Sequence, residues 1–147
     1  MTVIQLAEKL AAPPRLLVVD DDEAIRRLVE HSLQKLGCEP VAVGDGDQAI
    51  QRLAQESFAG VILDLRLPGK SGYDVLKWLR ENGLCVPVVV ITGYPDEDAY
   101  RLVELYGVLA VLVKPFTPET LITTLRRYFN IFKLRICEEQ RCHAMGA

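Results

Sequence analysis

Val61-Ile62-Leu63-Asp64-Leu65-Arg66-Leu67-Pro68-Gly69 is an apolar run that delivers one carboxylate to its end and then turns. Aliphatic, β-favouring residues closed by Pro-Gly read as a strand buried on both faces, the kind found in parallel sheets. In open α/β sheets the chemistry lies beyond the carboxyl ends of the strands, and Asp64 stands at such an end.

The flanking sequence repeats the pattern. Leu16-Leu17-Val18-Val19 is stopped by Asp20-Asp21-Asp22-Glu23, after which Ile25, Leu28, Val29, Leu33 and Leu36 recur on one helical face and Gly37 ends it. Pro40 to Val43 makes a second strand, and the Gly44-Asp45-Gly46-Asp47 turn offers Asp47 as cap for a helix carrying Ala49, Ile50 and Leu53. Beyond the Pro68 to Gly72 loop, Tyr73, Leu76, Trp78 and Leu79 predict a third helix, stopped by Asn82-Gly83. Val86 to Ile91 is a fourth strand with Thr92-Gly93 at its end, and Pro95-Asp96 opens a helix bearing Ala99, Leu102, Val103 and Tyr106. Val108 to Val113 is a fifth strand finishing on Lys114-Pro115, and Thr117-Pro118-Glu119 opens the last helix. Strand and helix alternate with short connections. That predicts an α/β fold, a doubly wound five-stranded parallel sheet with five helices, joined by right-handed crossovers.

The 147 residues suffice for one compact domain and are too few for two. We expect it over residues 15–130. Residues 1–14, with Val3, Leu6 and Leu10 at helical spacing, read as an N-terminal extension. Residues 131–147 read as a C-terminal helix extension and tail: the helical face of Leu121, Leu125 and Phe129 continues through Phe132 and Ile136 beyond the sheet, where it is expected to pack on the N-terminal segment. A net charge of -3 gives no basic field for nucleic acid. Cys38, Cys85, Cys137 and Cys142 form no CxxC pair, so reduced thiols are expected; with His143 the last two make too few soft ligands for a metal site. No apolar run is long enough to span a bilayer, and a cytoplasmic protein is expected.

Four of the five strand ends carry a chemically useful group: Asp20 with Asp21, then Asp64, Thr92 and Lys114. Helix capping explains one or two acids near a helix start, but not another at the end of the central strand. Carboxylates crowded in a cleft repel one another and need a cation, and hard oxygen ligands suit Mg²⁺.

Together these motifs resemble the response-regulator receiver domains of bacterial two-component signalling, of the chemotaxis-regulator kind. The matching segments are Val18-Val19-Asp20-Asp21-Asp22, Leu63-Asp64 through Gly72, Ile91-Thr92-Gly93 and Val113-Lys114-Pro115-Phe116. The resemblance implies a flavodoxin-like fold and a phosphoryl group accepted on Asp64 from a histidine kinase or histidine phosphotransfer protein. It implies Mg²⁺ on Asp21, Asp64 and the carbonyl of Arg66, with Asp20 acting largely through water. Lys114, Thr92 and the backbone amides of Leu65 and Gly93 are then the expected contacts to the phosphoryl group, and Lys114-Pro115 the expected cis peptide. Partners would be the kinase and a downstream output protein, the chain itself a monomer or weak homodimer and not a turnover enzyme.

Two features are particular to this chain. Receivers commonly carry an aromatic residue three positions before the lysine, and here that position is Val111, so a muted or rerouted conformational response is expected. Arg66 and Tyr94, each two positions beyond a site residue, are bulky enough to overhang a phosphoryl group and obstruct water. Two other functions are compatible with parts of the pattern. One is a phosphorylation-independent interaction module. The other is a Mg²⁺-dependent phosphohydrolase of haloacid-dehalogenase order, which needs further acids after the lysine and leaves Asp64 without a role.

Overall fold

Strands β1 (Arg15–Val19), β2 (Glu39–Val43), β3 (Gly60–Asp64), β4 (Val88–Thr92) and β5 (Ala110–Val113) form one parallel sheet in the order β2-β1-β3-β4-β5. Around it lie α1 (Glu23–Lys35), α2 (Gly46–Gln55), α3 (Gly72–Glu81), α4 (Glu97–Tyr106) and α5, seen over 118–128. The computed structural model describes residues 2–3 and 12–128, so the expected N-terminal helix and the apolar face past Tyr128 lie outside the described residues.

The strands are aliphatic on both faces because both are covered. Leu17, Val19, Val61, Leu63, Val88 and Val90 join residues of α2, α3 and α4 in one core cluster. Leu16, Val18, Ile62, Val89 and Ile91 meet α1 and α5 through Val29, Leu33, Leu121 and Leu125 in the other. Each fully buried side chain of this size stabilises the fold by roughly 1.5–3 kcal/mol, so the sheet's position is set by both layers together. From β1 the chain winds first to β2 and then back across to β3, so the connections diverge between β1 and β3 and open a crevice at their carboxyl ends.

Local chemistry sets the ends. Asp22 caps α1, its Oδ1 accepting from the Ala24 and Ile25 amides, and Gly37 follows in the left-handed region at φ 77°. Ser71 and Asp74 form a reciprocal capping box on α3. Asp96 caps α4, and Thr117 accepts from the Thr120 amide at the start of α5.

Three sequence expectations are corrected. The cap of α2 is Asp45, which accepts from the Gln48 amide, while Asp47 sits in the first turn; Asp45 is the residue with extended backbone. Strand β4 begins at Val88 rather than Val86, since Pro87 has no N–H to offer the ladder, and β5 correspondingly pairs only from Ala110. Cys38 is a buried thiol as expected, but Cys85 is disulfide-bonded, for which the cysteine spacing holds no signal.

Candidate functional site

Asp20 directly follows β1, Asp64 is the last residue of β3, Thr92 the last of β4, and Lys114 directly follows β5. The parallel register brings all four to one edge, beside the crevice. Asp22 is used by the helix cap, which leaves Asp20 and Asp21 for the site. Ligand oxygens of Asp20, Asp21 and Asp64 all lie within 4.8 Å of one another. Asp20 and Asp64 are buried, at 0% and 3% exposure, whereas Asp21 faces solvent.

One lysine serves two carboxylates. Lys114 Nζ lies 3.0 Å from Asp64 Oδ2 and donates a hydrogen bond to it, and lies 2.7 Å from Asp20 Oδ2. The second contact is an ion pair outside hydrogen-bond geometry, and no other donor among the described residues reaches the buried Asp20 Oδ2. The Lys114-Pro115 peptide is cis. Burial pushes Asp64 above the ordinary aspartate range, and the neighbouring Asp20 charge adds to this against the opposing Arg66 amide and Lys114. Burial alone would lower Lys114, but its contacts to Asp20 and Asp64 overcome that and hold it above its usual value.

The remaining polar groups are arranged around this pair. Asp64 Oδ1 accepts from the Arg66 amide at 3.1 Å. That donor was absent from the expected set, where Arg66 figured through its carbonyl; an amide two residues beyond a strand-end aspartate is the local Asx pattern that could have announced it. The Leu65 amide instead donates to Ile91 O at 3.3 Å, continuing the ladder. Thr92 is buried, its hydroxyl donating to Tyr94 O at 3.3 Å and accepting from the Tyr94 amide at 3.1 Å. A Cβ on Gly93 would meet only Lys114 Cβ, at 4.0 Å, so the protein leaves that approach open. Gly72 is the stricter glycine: a Cβ there would overlap Asp64 O and come 2.6 Å from Leu65 Cα, so only glycine lets α3 start against the end of β3.

Over the rim, the Arg66 guanidinium stacks 4.8 Å from the ring centroid of Tyr94, whose side chain is largely exposed. Val111 is half-buried against the α2–α4 core cluster. Glu119, the acid a phosphohydrolase reading would need, lines a groove on α5 with Thr120, Thr123 and Thr124 and is not part of the acid cluster.

The donor set fits a divalent metal: three hard carboxylates converge, one of them carries a buried oxygen met by an ion pair alone, and among the described residues Lys114 is the single cation ion-paired to them.

The family model for the response regulator receiver domain matches residues 16–126. The chain belongs to the response regulator receiver domain family. It is 37% identical over 115 residues to the sensory/regulatory protein RpfC of Xanthomonas campestris, covering 76% of this chain and 16% of that one. It is 34% identical over 114 residues to the transcriptional regulatory protein GltR of Pseudomonas aeruginosa, covering 76% of this chain and 47% of that one. The receiver chain thus spans less than half the length of these curated relatives. Among solved structures it is similar to the chemotaxis response regulator CheY4 of Vibrio cholerae, with a TM-score of 0.72, 32% identity, and 78% of this chain and 98% of that one covered. The fold and the two-component receiver function expected from the sequence are therefore the observed ones. A receiver is a signalling module rather than a turnover enzyme; receivers interact with histidine kinases and output domains and typically bind Mg²⁺ in an acidic pocket. Among the described residues no helix is long and apolar enough to cross a membrane.

Proposed function

We propose that Asp64 is the phosphoacceptor of this receiver, taking its phosphoryl group from a phosphohistidine of a histidine kinase or phosphotransfer protein. The observation that carries the reading is the convergence of Asp64, two further acids, Lys114 and Thr92 at one edge of the sheet, beside its switch point. A carboxylate oxygen of Asp64 attacks phosphorus in line, the P–O bond forms as the P–N bond breaks, and the departing electron pair returns to the imidazole nitrogen. Lys114, already 3.0 Å from Asp64, offers its ammonium to an equatorial phosphoryl oxygen. Thr92 can turn its hydroxyl from Tyr94 O to the same group, a small loss at 3.3 Å. The Gly93 amide is a further donor, and that of Leu65 becomes one when it leaves Ile91 O.

Asp21, Asp64 and the Arg66 carbonyl would hold Mg²⁺, with Asp20 acting through water. When bound, the ion neutralises charge on the phosphoryl oxygens. The reading places the working unit at residues 15–130, in the cytoplasm with its donor, passing its state to an output protein. It also makes loss of the phosphoryl group a self-catalysed hydrolysis.

Intact mass after incubation with acetyl phosphate and Mg²⁺, beside Asp64→Ala, tests this. One Mg²⁺-dependent phosphoryl adduct, missing from the variant, is expected. An adduct that survives Asp64→Ala would reject the assignment, and binding to a kinase indifferent to that substitution would favour an interaction module.

A further inference from the structure

The peptide that joins the two consecutive acids is gripped by a side chain from α1. Arg26 Nη1 donates to Asp20 O at 2.8 Å, while the Asp20 amide donates to Val43 O at 3.2 Å. The Asp20 side chain is fixed as well: Oδ1 accepts from the Asp22 amide at 2.9 Å, and Oδ2 is ion-paired to Lys114. Asp21 is different. It is exposed, yet its carboxylate comes within 4.8 Å of those of Asp20 and Asp64. The direction of its Cα–Cβ bond follows the plane of the Asp20–Asp21 peptide, and the carbonyl of that plane is the group Arg26 holds. Space for the guanidinium is kept by Gly44, where a Cβ would come 3.3 Å from Arg26 Nη1.

The carboxylates attract the Arg26 guanidinium, but towards a metal ion its charge acts the other way. A cation beside an acidic cluster opposes the entry of a dication, so a metal site that keeps one must gain something else from it. We propose that Arg26 is a positioning residue for the metal site, orienting the Asp20–Asp21 peptide so that Asp21 meets Asp20 and Asp64 around one ion. The inference rests on the reading of these three acids as Mg²⁺ ligands. Groups that orient metal ligands from outside act on affinity, and their loss weakens binding without removing a ligand.

The two roles of the guanidinium predict opposite signs, which makes the test decisive. Mg²⁺ is titrated into the unphosphorylated protein and followed through backbone amide NMR shifts, with wild type, Arg26→Gln, Arg26→Lys and Gly44→Ala compared. Metal-free spectra and urea midpoints show whether each variant keeps its fold. Positioning predicts a roughly tenfold weaker Mg²⁺ affinity in Arg26→Gln, whose amide is too short to reach Asp20 O, partly recovered in Arg26→Lys, whose longer chain brings a donor closer. Gly44→Ala keeps the charge but crowds the guanidinium, and should weaken affinity by about twofold. Equal or tighter binding in a folded Arg26→Gln would overturn the proposal. Should that variant not fold, undiminished binding in Gly44→Ala overturns it. A wild type that binds no Mg²⁺ would instead overturn the metal reading itself, and this inference with it.

Discussion

Lys114→Met replaces the one cation shared by two buried carboxylates with a side chain of similar length and no charge. At an effective dielectric of 20 the contacts at 2.7 and 3.0 Å are each worth about 5–6 kcal/mol before solvation is counted. Desolvation of the ammonium returns several kcal/mol of that, and the variant can relieve the rest by protonating a carboxyl, leaving a loss of about 3 kcal/mol near pH 8. The sign with pH follows from burial. Asp64 already sits above its ordinary range through desolvation, and without Lys114 it rises further. A carboxyl whose folded pKa exceeds its unfolded one destabilises the fold above that folded value, and the deficit fades as pH falls through it. Urea denaturation of wild type and variant should therefore show a large gap at pH 8 that narrows as pH falls towards the ordinary aspartate range. Millimolar Mg²⁺ should narrow it at pH 8 as well, by supplying the missing positive charge. A gap that is absent, or constant with pH and Mg²⁺, would refute the view that the lysine compensates excess carboxylate charge.

Gly72→Ala should destabilise the domain by about 3 kcal/mol, because the new Cβ meets backbone of Asp64 and Leu65 rather than a movable side chain; thermal unfolding reads it, and the same variant should label poorly with acetyl phosphate. If the stacked Arg66–Tyr94 pair shields the site from water, trimming both to Ala should speed loss of the aspartyl phosphate by on the order of three- to tenfold; an unchanged lifetime by timed mass spectrometry would reject the shield. Glu56 is held below the usual glutamate range by hydrogen bonds from Arg15 and then Arg52. Its contribution is complete above the unfolded pKa and lost as pH falls through the folded value, so Glu56→Gln should lower the urea midpoint at pH 7 and approach wild type as pH falls below the ordinary glutamate range.

The sheet was legible because its strands are buried on both faces: five aliphatic runs separated by capped helices admit little but a doubly wound fold, and all five are found. Asp20, Asp64, Thr92 and Lys114 were legible for a related reason. A polar residue that ends an aliphatic strand is conspicuous, and parallel topology sends every such end to the same edge. What escaped was chemistry carried by the backbone. The Arg66 amide on Asp64 and the Leu65 amide on Ile91 O depend on how the chain turns beyond β3, which side-chain types do not specify. Gly72 read as one loop glycine among several until the start of α3 lay against β3. The cap of α2 is ambiguous in the sequence for the same reason: Asp45 and Asp47 can both cap, and only φ and ψ decide.

The geometry around Thr92 bears on how a receiver without the usual aromatic could pass its state onward. The Thr92 hydroxyl is bonded in both directions to Tyr94, so drawing it towards Asp64 loosens the turn that leads into the Asp96 cap of α4. The other end of that helix is tied down: Arg80 Nε donates to Tyr106 O at 2.8 Å, and Nη1 donates to Leu84 O and Val86 O. A strain begun at Thr92 should therefore be taken up first at the N-terminal turn of α4, on the side where Tyr94 stacks with Arg66. Val111 lies half-buried on β5, too small to follow the threonine as a ring would. We therefore expect coupling between site and surface in this chain to run along the backbone from Thr92 to Asp96, so that amide NMR shifts on phosphorylation are largest over residues 92–97; larger shifts around Val111 would refute it.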